Sequence, residues 1–211
     1  MSSSATHRAI ETVWRIESAK VIAGLARMVR DVGIAEELAQ DALVAALEQW
    51  PESGVPDNPG AWLMATAKHR AIDRMRRTAM QRKKHEEIGR DLEMAGAFDE
   101  PDLAARADEP IEDDLLRLIF TACHPVLSTD ARVALTLRLL GGLSAGEIAR
   151  AFLVSEATVA QRIVRAKRTL AEANVPFEVP AANEMAGGSA RCWKWSTWSS
   201  TRATRPPRAM T

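Results

Sequence analysis

The stretch from Leu143 to Leu170 constrains this chain most, because it dictates two short helices joined through Leu153, Val154 and Ser155. Ser144 and Glu147 form an S-x-x-E capping box, which predicts a helix start at Ala145. Ile148, Ala149 and Phe152 supply its apolar face. Ser155 is a second N-cap candidate and opens a helix from Glu156 to about Leu170. Its apolar residues Val159, Ile163, Ala166 and Leu170 recur at steps of four, three and four, which is one helical face. The opposite face carries Glu156, Gln161, Arg162, Arg165 and Arg168. A short helical hairpin whose second member is exposed and basic reads as a helix-turn-helix, with that second helix in the DNA major groove. A bundle corner with a solvated charged face has the same local pattern, so the rest of the chain must decide.

Charge decides much of it. The chain has 28 basic and 28 acidic residues, a balance that argues against nucleic acid only if it is uniform. It is not. Lys68, Arg70, Arg74, Arg76, Arg77, Arg82, Lys83 and Lys84 fall in one block against Asp73 alone. The segment Glu86 to Asp114 then carries twelve acids and only Arg90 and Arg106. This pattern predicts a polyanion-binding face followed by an acidic linker. Two cysteines, Cys123 and Cys192, cannot build a disulfide framework and fit a reducing cytoplasm. The N-terminus shows no apolar signal segment, and no run reaches membrane-span length. Tyrosine is absent and β-branched alternation rare, so the expected fold is all-α.

In chain order, Ile10, Val13, Trp14, Ile16, Val21, Ile22, Leu25 and Val29 fit one long amphipathic helix from about His7, ended by Gly33. A second helix is expected from Ile34 to Trp50. Leu43, Leu47 and Trp50 belong to its inner face, and Ala39, Ala42 and Ala46 permit close packing. Glu36, Glu37, Gln40 and Asp41 mark an outer acidic side. A loop spans Pro51 to Gly60, in which Asn58 and Pro59 are an N-cap and a first-turn proline. The third helix is apolar on one face and basic on the other. Residues 81–110 read as a linker, helical at its start. From Ile111, one helix carries Leu115, Leu118, Ile119 and Ala122; after Pro125, Ser128 caps the next, with Val133, Leu137 and Leu140 inward. Gly141 and Gly142 end it before the helix-turn-helix.

The two modules together resemble a bacterial sigma factor of the extracytoplasmic-function type. The first resembles sigma region 2 through Ala35-Glu36-Glu37-Leu38-Ala39-Gln40-Asp41, then Asn58-Pro59-Gly60-Ala61-Trp62-Leu63, then Arg70-Ala71-Ile72-Asp73-Arg74-Met75-Arg76-Arg77. The second resembles region 4, ending in Thr158-Val159-Ala160-Gln161-Arg162-Ile163-Val164-Arg165-Ala166-Lys167. The turn Ala151-Phe152-Leu153-Val154 is similar to that of the subgroup with a long C-terminal extension. Two positions depart from the pattern: His69 stands where most relatives have asparagine, and Leu153 where many have glycine. A turn of slightly different backbone shape is therefore expected at Leu153.

The resemblance implies two small helical domains, a three-helix region 2 over 7–80 and a four-helix region 4 over 111–173, joined by an acidic linker over 81–110. It implies a protein that is not an enzyme and needs no cofactor or metal, but binds core RNA polymerase and directs it to promoter DNA. Glu36, Glu37, Gln40 and Asp41 then match the surface for the polymerase clamp helices, and region 4 the part that meets the flap. Lys68, His69, Arg70, Arg74, Arg76 and Arg77 match the face that meets melted promoter DNA, where a base leaves the stack and cations hold phosphates. Asp73 is expected to orient a neighbouring arginine. Glu156, Ala157, Thr158, Gln161, Arg162 and Arg165 are placed to read or brace the distal promoter element. An anti-sigma protein is a further candidate partner, and no membrane is.

Residues 174–211 are expected to be a non-native, disordered tail. From residue 187 onward the composition changes abruptly, with Trp193, Trp195 and Trp198 close together without period. Tryptophan has one codon, and one permitted coding of this stretch, read two bases later, spells an apolar helical segment. The expectation is a frameshift product in which the extension is missing. The alternative to a sigma factor is a helix-turn-helix regulator that acts without polymerase. An enzyme is disfavoured, because His7, His69, His85 and His124 are scattered and no second ligand pair accompanies Cys123 and His124.

Overall fold

A computed structural model describes residues 3–88 and 112–179. The chain is all-α, as expected: the described residues form seven helices and no strand. Helices α1 (Ser3–Val29), α2 (Val32–Ser53) and α3 (Pro59–Ile88) make one lobe. Helices α4 (Glu112–Ala122), α5 (Thr129–Leu139), α6 (Ala145–Phe152) and α7 (Glu156–Glu172) make the other.

The α1–α2 break does not fall at Gly33, which lies inside the first turn of α2. It falls at Arg30, with φ 54°, and Asp31, whose carboxylate accepts the Ile34 amide at 2.9 Å. A capping carboxylate satisfies an amide the helix would otherwise leave unpaired, and this local gain sets the start of α2. At its other end α2 continues through Pro51 to Ser53, so the expected loop shortens. Proline in a last turn removes a single intrahelical bond, which the end of a packed helix tolerates.

An alanine stripe, Ala35, Ala39, Ala42 and Ala46, is buried on α2 and lets α1 approach. Trp50 is buried at its end, edge-on to Trp62 of α3, with ring centroids 5.2 Å apart and planes at 68°. Leu43 is half-buried, and Leu47, expected inside, is 38% exposed because the alanines and Trp50 fill the inner face. Asn58 caps α3 by accepting the Ala61 amide at 3.1 Å, with Pro59 as the first helical residue. Leu63, Ala67 and Ala71, at steps of four, are its buried face. The helical start foreseen for the linker extends to Ile88; the acidic remainder lies outside the described residues.

In the second lobe Ser128 caps α5, Ser144 caps α6 within a complete capping box, and Ser155 caps α7. Val159, Ile163, Ala166 and Leu170 are all buried, as their spacing requires. On α5, Ala134, Leu135 and Leu139 are buried with Val133, whereas Leu137 and Leu140 are half-buried; α5 packs against α7, α6, α4 and α1, so its core face is broader than one stripe. Gly141 has a steric reason to be glycine: a Cβ there would lie 2.7 Å from the Leu137 carbonyl oxygen. Phe152, expected to be internal, is 45% exposed at the end of α6. After α7 the chain stays against the body, with Val175 and Phe177 packed on the core, so this first part of the expected tail is structured; residues 180–211 lie outside the described residues.

Leu153 corrects another expectation. The turn keeps the left-handed shape, and Leu153 itself adopts φ 54°, ψ 39°, with its side chain 93% exposed. A Cβ in that region costs about 1–2 kcal/mol, and an exposed side chain returns little packing. Leu153→Gly is expected to stabilise the protein by about 0.5–1 kcal/mol after the extra freedom of glycine in the unfolded chain is counted. Urea unfolding of both forms measures this; an unchanged or lower midpoint would show that the turn bears no strain.

The lobes touch. Helix α4 packs on α1 more extensively than on its own neighbour α5, burying Leu118 and Ala122. Asp114 of α4 is fully buried, accepting from Arg27 Nε of α1 and from Arg117, each at 2.9 Å. Burial pushes the Asp114 carboxyl above its usual range, and the pull of the two arginines does not cancel this. Its folded-state pKa exceeds the unfolded one, so its contribution to stability is greatest in acid and declines as pH rises through the folded pKa.

Candidate nucleic-acid interface

Three surfaces carry the residues singled out by the sequence. The first is the basic face of α3. His69, Arg74, Arg76 and Arg77 are exposed there, and Lys68 and Arg70 are half-buried. Arg74 donates to Glu37 at 2.8 Å, and Arg70 lies 3.8 Å from Asp41. Acids of α2 therefore brace the arginines of α3. Asp73, expected in that role, is exposed, and Glu37 and Asp41 perform it instead. The signal was in the sequence as two acids one helical turn apart, but which helix lies beside α2 is a tertiary fact.

The second surface is the outer face of α7. Glu156, Ala157, Gln161 and Arg165 are exposed along it. Thr158 is half-buried and occupied locally: its hydroxyl lies 2.7 Å from Ser155 Oγ, to which its amide also donates at 3.2 Å. It therefore serves the cap before any ligand. Arg162 lies 3.4 Å from Asp130 at the start of α5, which ties α7 to the lobe beneath it. Glu156 reaches back over the first turn of α6, its Oε2 3.4 Å from where a Gly146 Cβ would stand. Negative charge at a helix N-terminus is favourable, and Glu156 places it at the starts of both α6 and α7.

Glu147 holds the same first turn of α6 from within the helix. Its Oε2 accepts from the Ser144 amide and hydroxyl, both at 2.8 Å, and its Oε1 accepts from Arg15 of α1 at 2.9 Å. The Ser144 backbone bond, then its hydroxyl and Arg15, hold the carboxyl below its ordinary value of 4.5. A depressed folded pKa contributes stability that is present above the unfolded value and lost as pH falls through the folded one. The Ser144 amide is expected to lose exchange protection as pH falls below 4.5, and Glu147→Gln to flatten that dependence. Equal acid sensitivity in the variant would assign the loss to another group.

The third surface is the acidic side of α2, and here the structure departs from expectation. Glu37 and Asp41 are exposed, but Glu36 is 2% exposed and Gln40 half-buried. Glu36 Oε1 accepts from Arg138 Nε at 2.7 Å and from Gln40 at 2.9 Å, and its Oε2 pairs with Lys167 Nζ. Arg138 belongs to α5 and Lys167 to α7, so the second lobe covers one end of the acidic side. Periodicity alone puts Glu36 outward, since its packing partners lie more than a hundred residues away.

Burial lowers the pKa of His124, and its Nδ1 accepts from the Val126 amide at 3.3 Å. No group of three or more His, Cys, Asp or Glu is placed to hold a metal ion among the described residues. No helix among them is long and apolar enough to cross a membrane.

Two family models match the chain: Sigma-70 region 2 over residues 16–80, and Sigma-70, region 4 over 117–170. An uncharacterised protein of Rhizobium meliloti is 41% identical over 169 residues, which are 79% of this chain and 39% of that protein. The probable ECF RNA polymerase sigma factor SigI of Mycobacterium tuberculosis is 25% identical over 180 residues, 83% of this chain and 59% of its own. The ECF RNA polymerase sigma factor SigK of Mycobacterium ulcerans is 30% identical over 152 residues, 69% of this chain and 75% of its own. The chain thus spans well under half of the Rhizobium protein and about three fifths of SigI.

Proposed function

Because the chain belongs to the ECF sigma-70 family of sigma factors, we propose that it binds core RNA polymerase in the cytoplasm and directs it to promoter DNA. One observation carries the reading: a single chain presents two separate exposed cationic surfaces, the α3 face and the α7 face, beside an acidic side on α2. Two DNA surfaces on different lobes suit two promoter elements. The acidic side suits a protein partner.

In this reading residues 7–80 serve as region 2, residues 81–110 as the linker and residues 111–173 as region 4. Glu37 and Asp41, with Glu36 and Gln40, face the polymerase clamp, and region 4 meets the flap. Lys68, His69, Arg70, Arg74, Arg76 and Arg77 hold the melted upstream strand. Cations neutralise its phosphates, and the bases are held by stacking and pocket contacts. Glu156, Ala157, Gln161 and Arg165 meet base edges and phosphates of the distal element, braced by Arg162 and by the Thr158 cap. The chain does no bond chemistry itself; it orients promoter DNA for the polymerase. An anti-sigma protein would act on the same surfaces.

Core RNA polymerase mixed with the chain, followed by sizing chromatography and run-off transcription from genomic fragments, tests the proposal. A stable complex and discrete transcripts are expected. DNA binding without any polymerase complex would instead establish a helix-turn-helix regulator.

A further inference from the structure

The contact between the lobes joins the apolar packing of α4 on α1 to a set of charged groups. Three clusters cross it. Arg27 of α1 reaches buried Asp114 of α4 at 2.9 Å, where Arg117 also binds. Arg15 of α1 reaches Glu147 of α6 at 2.9 Å. Arg138 of α5 and Lys167 of α7 converge on Glu36 of α2. The backbone also comes close: a Cβ on Gly142 would lie 3.3 Å from Ser18 Oγ of α1.

The charge clusters make the contact specific. Burying Glu36 costs hydration that Arg138 and Lys167 roughly offset, so a competitor able to supply cations loses little by replacing them. The closed arrangement also treats the three surfaces unequally. His69, Arg76 and Arg77 of α3 and Gln161 and Arg165 of α7 stay exposed, while Glu36 is sealed and Gln40 is drawn toward it. Of the three surfaces, the acidic side of α2 is the one covered, at its Glu36 end.

We propose that the second lobe is an intramolecular mask for the α2 acidic side, with Arg138 and Lys167 occupying the carboxylate that polymerase cations would otherwise engage. This rests on the reading that α2 meets the polymerase clamp. Binding to polymerase then requires the lobes to part, and whatever weakens the Glu36 cluster strengthens polymerase binding without touching either DNA surface.

Lys167→Glu in the full chain tests this. It places a like charge against Glu36 and touches neither the capping box nor the turn. Arg138 also donates to the Leu143 carbonyl at 3.1 Å, so Arg138→Gln serves as a milder second variant. Circular dichroism verifies helix content. Small-angle scattering reads lobe separation, and competition for labelled core RNA polymerase reads affinity. The expected result is a larger radius of gyration with roughly tenfold tighter polymerase binding for Lys167→Glu, about 1.4 kcal/mol, and a smaller shift in the same direction for Arg138→Gln. Expansion with unchanged or weaker binding overturns the mask and leaves the sigma reading standing. Unchanged dimensions with native helix content in both variants overturn the latch. If neither wild type nor variant binds polymerase, the sigma reading falls and the mask with it, while scattering alone still reports whether Lys167 holds the lobes together.

Discussion

Trp50→Ala is expected to destabilise the first lobe by about 3–5 kcal/mol, the range for removing a large aromatic side chain from a packed core. Trp50 is 1% exposed at the end of α2, edge-on to Trp62, and seals the junction where α3 turns back along the lobe. The buried face of α2 leading to it is alanine, Ala42, Ala45 and Ala46, whose methyl groups cannot reach into the space. A small domain has about 5–15 kcal/mol in total, so this loss is a large part of what keeps the lobe folded. Urea unfolding followed by far-ultraviolet circular dichroism reads it. Trp50→Phe separates packing from polarity. The indole Nε1 is buried without a hydrogen-bond partner, so phenylalanine forfeits volume but no bond, and its cost should stay under about 2 kcal/mol. If alanine costs no more than phenylalanine, the Trp50–Trp62 junction contributes nothing to stability.

Arg76→Ala combined with Arg77→Ala is expected to weaken binding to a promoter fragment with a pre-melted bubble by about 10–100-fold near 150 mM salt. Both arginines are exposed on the α3 face. Each phosphate left without its arginine keeps its own counterion, so the slope of log K against log salt should fall by about two. Arg74→Ala should do less than Arg77→Ala, because Glu37 at 2.8 Å already engages the Arg74 guanidinium. Glu37→Ala should tighten binding for the same reason. Fluorescence anisotropy across a salt series distinguishes the cases: equal losses for Arg74 and for the pair, or an unchanged slope, would mean that α3 does not track a backbone.

The helix-turn-helix was legible almost residue by residue. Ser144, Glu147, Ser155 and the stripe Val159, Ile163, Ala166 and Leu170 act within one or two turns of chain, and local rules govern local bonds. The cationic blocks were legible too, since charge runs need no tertiary context to be seen. What was not legible depends on distant neighbours. Glu36 is an outward acid by period, and only Arg138 and Lys167 make its burial tolerable. Leu47 loses the inner face of α2 to alanines whose small size draws α1 close. Leu153 shows a third kind of failure: the turn geometry was fixed by the two helices it joins, and the residue accepted the strain instead of reshaping the turn. Gly33 misled because it is a good terminator by type, while Asp31, two residues earlier, offered a bond.

The Glu147 carboxylate divides its two oxygens between Ser144 of its own helix and Arg15 of the opposite lobe. Energies at these positions therefore cannot be assigned separately to the helix cap and to the lobe contact. A substitution at Ser144 removes the hydroxyl bond and leaves the carboxylate on the backbone amide alone, and one at Arg15 removes the charge that helps hold it, so each alters what the other is worth. Ser144→Ala and Arg15→Ala in a thermodynamic cycle should show a coupling energy different from zero, although neither side chain bonds the other. In this protein the cooperativity of the helix-turn-helix extends, through one side chain, into a helix that begins at the other end of the chain.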